Sequence, residues 1–281
     1  MKLMAALLSA VLLASCSKEP VLNEKTISAS LPSDTKVSMM PSETGLSLAW
    51  QAGDKLGVCA GGTTKLYSIM DGFTAHQAQF SGEPLSGDRF TVYYPGQKYD
   101  GPEAIKARKY NVQHQKGNGS TAHLEWNALL EDCADYLHLN FAEARQNSVL
   151  MISLMLPEDV PSVEAVSISA GSDVFYLTND AEGPMTNGMR LELEDVDLSS
   201  HSLTVYMMLP WYDVALSAGT KLQVTVEAGG GGKYTKKLSV PAGGIVIRSG
   251  KLNIIRLYQD VSGDFASPLE GFVWSDNNFW E

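Results

Sequence analysis

Short segments in which apolar and polar residues alternate recur along the whole chain. Alternation with a period of two is typical of strands that bury one face, and these segments are also rich in β-branched and aromatic residues. Turn-forming sequences separate nearly all of them, such as Asp71-Gly72, Asn187-Gly188 and the glycine run 229–232. The pattern predicts strands at 26–31, 46–50, 55–60, 65–69, 89–94, 136–141, 148–156, 165–170, 174–177, 189–193, 202–209, 221–228, 234–240 and 252–257.

The spacing of these strands predicts the fold class. Only 127–136 looks helical, with Leu129, Leu130 and Cys133 at helix-compatible positions. About seven strands on each side of 130–145 favour two stacked sandwiches, and a closed barrel is the competing all-β solution. We therefore predict two tandem β-sandwich domains of the transthyretin-like, Greek-key type, at 25–145 and 146–258, followed by a tail at 259–281.

The N-terminus has the features of an export signal that ends in a lipid attachment site. Met1-Lys2 is followed by an apolar run at 3–13, which is too short to span a bilayer, and then by Ala14-Ser15-Cys16. This is the pattern at which bacterial lipoproteins are cleaved and acylated. An ordinary buried strand or helix explains the charge, the length and the small residues less well. We expect a signal peptide at 1–15, acylation (palmitate) of Cys16 and a lipidated tether at 16–24.

The charge balance argues against nucleic acid as a partner. The formal net charge is −11, and it becomes −12 without 1–15 because Lys2 is the only charged residue removed. The densest basic group, Lys106 with Arg108 and Lys109, is better explained as a solvated face than as a phosphate-binding site. The two cysteines other than Cys16, namely Cys59 and Cys133, are predicted to be buried or partly buried thiols, and a disulfide between them is the alternative.

Motifs for catalysis are lacking in the sequence. None of the five histidines belongs to an HExxH motif, and no GxSxG sequence occurs. The glycines 229–232 before Lys233 lack the leading glycine and the hydroxyl residue of a phosphate loop, so they predict a hairpin turn. His123, Asp135 and His138 could meet to bind a metal, but unrelated surface histidines are far commoner. We expect no enzyme activity, no cofactor and no metal site.

A Trp-x-x-Gly-Asp sequence at 50–54 predicts a tight corner between two strands. Trp50 closes one strand, Gly53 can supply a positive φ, and Asp54 can accept hydrogen bonds from turn amides. The motif is therefore predicted to be architectural rather than a ligand site, because a Trp at a strand end is more often part of a core.

Two groups of motifs, one in each half of the chain, resemble a known family. The first half has Asp34-Thr35-Lys36 and then Leu48-Ala49-Trp50-Gln51-Ala52-Gly53-Asp54-Lys55-Leu56-Gly57-Val58. The second half has the segments 203–210, 221–227 and 234–240 and the ending Ser249-Gly250-Lys251-Leu252-Asn253-Ile254-Ile255, in that order. This ordered set resembles the fimbrillin-like (Mfa-like) proteins, the type V pilins and relatives of Gram-negative gut and mouth bacteria. Together with the lipid attachment sequence, the resemblance covers nearly the whole chain.

The resemblance implies a lipid-anchored protein of the outer membrane that joins a fimbria as a structural or accessory subunit and supports adhesion. In such assembly a protease removes the first strand, and a strand of another fimbrial subunit fills the groove. The first strand here would be 26–31, in which Ile27, Ala29 and Leu31 share one face.

The candidate processing site departs from the family pattern. Cutting in the family resembles trypsin-like cleavage after arginine, whereas this chain has Lys36, and its first arginine is Arg89. Two outcomes stay open. A lysine-tolerant protease cuts at Lys36, or the first strand stays in place and the protein caps, anchors or decorates a fimbria.

Aromatic residues supply two further candidate surfaces. The tail carries an aromatic load unusual for a terminus, so we expect it either to fold back on the second domain or to donate a strand to a neighbour. The candidate donor residues are Phe272, Trp274, Phe279 and Trp280.

The pair Trp211-Tyr212 follows Pro210 where a loop is expected, and exposed aromatic rings can stack on sugars. This pair is the candidate ligand-facing site of an alternative function, a monomeric surface lipoprotein that binds a glycan or a host or bacterial receptor without polymerising. The competing explanation, which we favour, is that Trp211 covers the end of the core.

Overall fold

The computed structural model describes residues 25–31, 40–42, 45–47, 49–257 and 273–277. Its regular elements are almost all strands, so the all-β, sandwich-like prediction is confirmed. Helix α1 is Pro102–Ala107, and short 3-10 segments lie at Ala122–Trp126, Phe141–Glu143 and Gly229–Gly231. The strands are β1 Lys25–Ser30, β2 Met40–Ser42, β3 Gly45–Ser47, β4 Lys55–Ala60, β5 Thr63–Ile69, β6 Gln77–Gly82, β7 Phe90–Tyr94, β8 Val112–Lys116, β9 Leu129–Cys133, β10 His138–Asn140, β11 Arg145–Gln146, β12 Ser148–Met155, β13 Val163–Ala170, β14 Phe175–Tyr176, β15 Met185–Thr186, β16 Gly188–Glu194, β17 Ser202–Leu209, β18 Val214–Leu216, β19 Lys221–Ala228, β20 Lys233–Ser239, β21 Ile245–Ile247, β22 Leu252–Leu257 and β23 Val273–Asn277.

The first half of the chain forms an eight-stranded sheet, which we call the first sheet. Its order is β10-β1-β6-β5-β4-β7-β9-β11, and only the β1–β10 pair is parallel. Alternate side chains of its strands are buried, as in β6, where Ala78 and Phe80 point inward and Gln77 and Gln79 are exposed. The inward side chains, together with Trp50, build the first core.

The second half forms a middle sheet, β17-β12-β22-β23, and a back sheet, β20-β19-β13-β16-β8. Both faces of the middle sheet are covered. In β12, Val149 belongs to the first core, whereas its neighbours Leu150 and Ile152 belong to the second core, which the middle and back sheets share. The middle sheet therefore lies between the first sheet and the back sheet, and it joins the two halves of the molecule.

Strand β8 crosses the predicted division of the chain. It lies inside 25–145, yet it pairs in parallel with β16, which lies inside 146–258, with Val112 opposite Arg190. A strand from the first predicted domain thus completes a sheet of the second.

The predicted helix at 127–136 is wrong, because this segment contains β9. Leu129 faces the first core, and Leu130 faces a third core that includes Tyr93, Tyr99 and Ile105. A strand covered on both faces has consecutive apolar residues, so it shows no alternation and resembles a buried helical turn.

Side-chain amides close the outer edge of β17. The carboxamide of Gln113 accepts a hydrogen bond from the Met208 N–H and donates one to the Met208 carbonyl, both at 2.8 Å. Gln115 accepts from the Tyr206 N–H at 2.9 Å, and Asn118 accepts from the Thr204 N–H at 2.8 Å. We call these amides the amide ladder. They hydrogen-bond to the backbone groups of alternate residues of β17, as a neighbouring strand would.

Candidate functional site

Strand β1 fills a slot between β6 and β10. It pairs with β6 over six residues, from Lys25 opposite Gly82 to Ser30 opposite Gln77, and with β10 over three residues. Further hydrogen bonds run from the Ser28 N–H to the Leu137 carbonyl and from the Leu31 N–H to the His76 carbonyl, both at 2.8 Å. We call the slot between β6 and β10 the first-strand groove.

The three side chains that the sequence places on one face of the first strand are buried together. Ile27 is 0% exposed, and Ala29 and Leu31 are each 4% exposed, whereas Thr26 and Ser28 are exposed. In register, Ile27 lies opposite Phe80 on β6, and all three side chains belong to the first core.

The register sets the size of the residue that each position accepts. Ala29 lies opposite Ala78 on β6 and Leu139 on β10. Along the first strand, this small side chain stands between the larger Ile27 and Leu31. The groove therefore holds a large-small-large pattern at alternate residues, and a replacement strand must match it to avoid overpacking.

The Trp-x-x-Gly-Asp corner packs beside this groove. The Trp50 ring contacts those of Phe80 and Tyr94 edge to face, with centroids 5.1 and 5.3 Å apart. The backbone N–H of Trp50 donates to the Ala75 carbonyl at 3.1 Å, one residue before the carbonyl that Leu31 uses. Trp50 is 3% exposed, which agrees with its predicted place in the core.

Asp54 organises the turn in the predicted manner. Gly53 has a φ of 90°, and the Asp54 Oδ2 atom accepts a hydrogen bond from the Gln51 N–H at 2.8 Å. Its Oδ1 atom accepts from the Tyr94 hydroxyl at 2.9 Å. Burial raises the pKa of Asp54, although the bonds from Gln51 and Tyr94 oppose that shift. The motif holds the strands of the first core together and offers no open ligand site.

Several predicted site residues lie outside the described part of the chain. These are Cys16, Lys36, Phe272, Phe279 and Trp280. The backbone of β23, which includes Trp274, pairs antiparallel with β22 of the same chain, with Trp274 opposite Ile255. The described segment of the tail therefore extends the middle sheet.

The candidate ligand-facing pair, Trp211 and Tyr212, packs at the third core. Trp211 is 5% exposed and packs in the third core with Tyr99 and Ile105, under the guanidinium of Arg145, whose Cζ lies 5.9 Å from the ring centroid. Its backbone N–H donates to Asn179 Oδ1 at 3.0 Å, and the half-buried Tyr212 donates to the Asn179 carbonyl at 3.2 Å. The enclosed Trp211 ring covers the end of a core, which is the explanation favoured from the sequence.

Neither described cysteine forms a disulfide. Cys59 and Cys133 are free thiols, half-buried on β4 and β9, as the favoured prediction has it. Burial raises the pKa of Cys133 to about 11, and the nearby carboxylates of Glu131, Asp135 and Asp132 add to the shift. The Cys133 thiol is therefore protonated at neutral pH and is a weak nucleophile.

The histidines that could have formed a metal site do not come together. His123 Nε2 lies 2.8 Å from the Tyr206 carbonyl, while His138 lies 3.5 Å from Asp135. The residues that the structure describes contain no group of three His, Cys, Asp or Glu side chains that could hold a metal ion. They also contain no helix that is long and apolar enough to cross a membrane.

No protein-family model and no curated protein matches the chain. Among solved structures, it is similar to a protein of Bacteroides uniformis provisionally assigned to cell adhesion, with 13% identity and a TM-score of 0.49 over 87% of this chain and 96% of that one. It is also similar to a protein of Bacteroides ovatus with the same provisional assignment, with 11% identity and a TM-score of 0.49 over 89% and 98% of the two chains. A provisionally assigned adhesin of Bacteroides ovatus has 10% identity and a TM-score of 0.36 over 83% and 88%.

Proposed function

We propose that this protein is a cell-surface fimbrial subunit, lipid-anchored to the outer membrane through Cys16, that assembles by strand exchange and supports adhesion. The observation that carries the proposal is the position of β1. It is the first strand along the described chain, it sits between two other strands, and its side chains fill the first core. The resemblance of the motifs at 34–36 and 48–58 to fimbrillin-like proteins supports the same mechanism.

Strand β1 is placed so that it can leave without unthreading the rest of the sheet. Because it is the first strand of the described chain, a cut after Lys36 would leave the chain from β2 to β23 continuous. Burying Ile27 and Leu31 stabilises the fold by roughly 1.5–3 kcal/mol each, so losing the strand costs about 3–6 kcal/mol before its hydrogen bonds are counted. An incoming strand recovers this free energy and pairs with the exposed edges of β6 and β10.

The tail is the proposed donor in this assembly. A frame that presents Phe272, Trp274 and Asp276 places an indole where the groove holds Ala29, whereas the alternate frame places Ser275 there. Of these two frames, the one with Ser275 at the centre places a small side chain where the groove holds Ala29. A tail that enters a neighbour must also release its pairing with β22.

Peptide exchange tests the groove directly. A site-specific protease sequence replaces residues 34–37 of the full chain, the protein is cut, and a fluorescent peptide of residues 25–31 is added. We expect the peptide to bind the cut protein and not the uncut protein. A peptide with Ile27→Ser and Leu31→Ser is the matched control and should not bind. If the cut protein takes up neither peptide, β1 is not exchangeable and the proposal fails.

The assembled state has a separate readout. Surface extract that has not been boiled should show a ladder of oligomers in gels, because strand-exchanged subunits dissociate slowly, and boiling should collapse the ladder to one band. A protein that is monomeric in such extract would instead be a surface lipoprotein that keeps its first strand. That second candidate function is favoured by the lysine at position 36 in place of arginine.

A further inference from the structure

The outer face of the first sheet, opposite the first core, is divided into a covered half and an open half. On β7 and β9, the outward side chains Tyr93 and Leu130 are covered by the third core, to which α1 contributes Ile105. On β10, β1 and β6, the outward side chains form the floor of a cleft of about 690 Å³, with the loop that carries Asp71 and Thr74 as part of its lining. We call this the polar cleft.

The strand register arranges the floor of the polar cleft in two rows. His138, Ser28 and Gln79 lie side by side across the three strands, and Asn140, Ser30 and Gln77 form the next row. Strand spacing and rise place these six side chains over an area of roughly 10 by 7 Å. The cleft volume lies within the range of small-molecule sites, roughly 300–1,000 Å³.

Much of the hydrogen-bonding capacity of this floor is unused. The Ser28 hydroxyl and the carboxamides of Gln77 and Gln79 make no hydrogen bond to any described residue, and all three residues are exposed. At the far side of the same face, by contrast, Thr91 donates to Asp132 at 2.7 Å, and Arg145 lies 3.4 Å from Asp132. The cleft therefore presents several free donors and acceptors together, which is the chemistry that a ligand with many hydroxyl groups can use.

The charge of the lining restricts the ligand further. Among the described residues, no lysine or arginine lines the cleft, and Asp71 is the one acidic residue of the lining. With a formal net charge of −11 on the chain, this lining repels sulfated or sialylated sugars and offers no cationic side chain to a phosphate. Its hydroxyl, amide and imidazole groups complement an uncharged polyol.

We propose that the polar cleft binds a neutral oligosaccharide. The site is separate from the Trp211 and Tyr212 pair and does not depend on strand exchange. Because Ser28 and Ser30 belong to β1, the complete floor exists only while a first strand is in place. A subunit that keeps β1 carries the site as described, and a subunit that has exchanged it carries the outward side chains of the donor strand instead.

A glycan array followed by titration tests this proposal. The full chain with Cys16→Ser, which removes the acylation site, is applied to an array of neutral, sialylated and sulfated glycans. We expect binding to neutral glycans, and the strongest is then titrated calorimetrically. The variant Gln77→Ala/Gln79→Ala should bind it at least about tenfold more weakly, because two amides that each contribute about 1 kcal/mol are lost.

Two further variants keep the test independent of folding. Gln51→Ala removes an exposed glutamine of the same half outside the cleft and should bind as the parent does. Ser28→Trp fills the floor from an exposed position and should abolish binding while the melting curve stays that of the parent. Binding of no glycan, binding of acidic glycans only, or an unchanged affinity in the double glutamine variant would each overturn the proposal.

Discussion

Replacing Gln113 by leucine tests whether side chains rather than a strand close the edge of β17. Gln113 is 7% exposed, and its carboxamide occupies both the N–H and the carbonyl of Met208, each at 2.8 Å. Leucine has a similar size and no polar atoms, so the substitution removes this partner from three backbone groups, the Met208 N–H, the Met208 carbonyl and the Tyr110 carbonyl. Each unsatisfied group costs about 1–3 kcal/mol, and we expect a net loss of at least about 2 kcal/mol after the gain from the apolar side chain.

Urea unfolding and hydrogen exchange measure this loss separately. The midpoint of unfolding should fall, and the Met208 amide should lose protection before the amides of neighbouring strands do. Gln223→Leu on β19 is the matched control. Its half-buried carboxamide reaches only the Thr225 hydroxyl, at 3.3 Å, so the change should stay within about 0.5 kcal/mol. An unchanged midpoint together with an unchanged Met208 exchange rate in the Gln113 variant would refute the amide ladder.

Three other substitutions give expected outcomes. Ile27→Ala should destabilise the protein by about 2–5 kcal/mol in thermal or urea unfolding, whereas Thr26→Ala, which changes an exposed neighbour, should be nearly neutral; equal effects would contradict the orientation of β1. Gly57→Ala should cost about 2–3 kcal/mol, because the added Cβ would overlap the Tyr93 ring; wild-type stability would show that the ring can move. Tyr94→Phe removes a hydrogen bond that favours ionised Asp54, so the pKa of Asp54 rises further. Since a carboxyl with a raised pKa costs stability as the pH rises through that pKa, the variant should be about 1–3 kcal/mol less stable at neutral pH and approach the wild type in acid; a deficit that is constant with pH would contradict this.

The strands that sequence reasoning located best are those with a clear apolar pattern. β4 and β19, which each bury one apolar face, have the predicted bounds. β17 and β22 have them too, although both are covered on two faces, because long runs of apolar residues mark them. The glycine run 229–232 also predicts the turn between β19 and β20, where Gly230 and Gly231 both have a positive φ.

Strand β8 could not be found from hydrophobic pattern. Its inward residues are Gln113 and Gln115, and their burial depends on backbone groups of β17 about 90 residues away. When the alternating residues are all polar, the pattern does not show which face of the strand is buried until the partner strand is known. β9 was missed for another reason: its two consecutive buried residues, Leu129 and Leu130, face different cores, and so short an apolar run does not distinguish a strand from a helical turn.

The candidate site was only partly predictable for a similar reason. Alternation alone identifies Ile27, Ala29 and Leu31 as one face of a strand. That β10 and β6 flank this strand, and that six polar side chains line up on its outer face, depends on pairings over about 50 and 110 residues. Local pattern does not encode such register.

Intact mass measurement with N-terminal sequencing of the protein recovered from its native cell surface tests the central claim most directly. The account predicts that subunits in assembled material begin at Val37, which means that β1 has been removed after Lys36 and the first-strand groove has been filled by another chain. Assembled material in which every subunit begins at an acylated Cys16 would contradict the account, because the first strand would then remain in its groove.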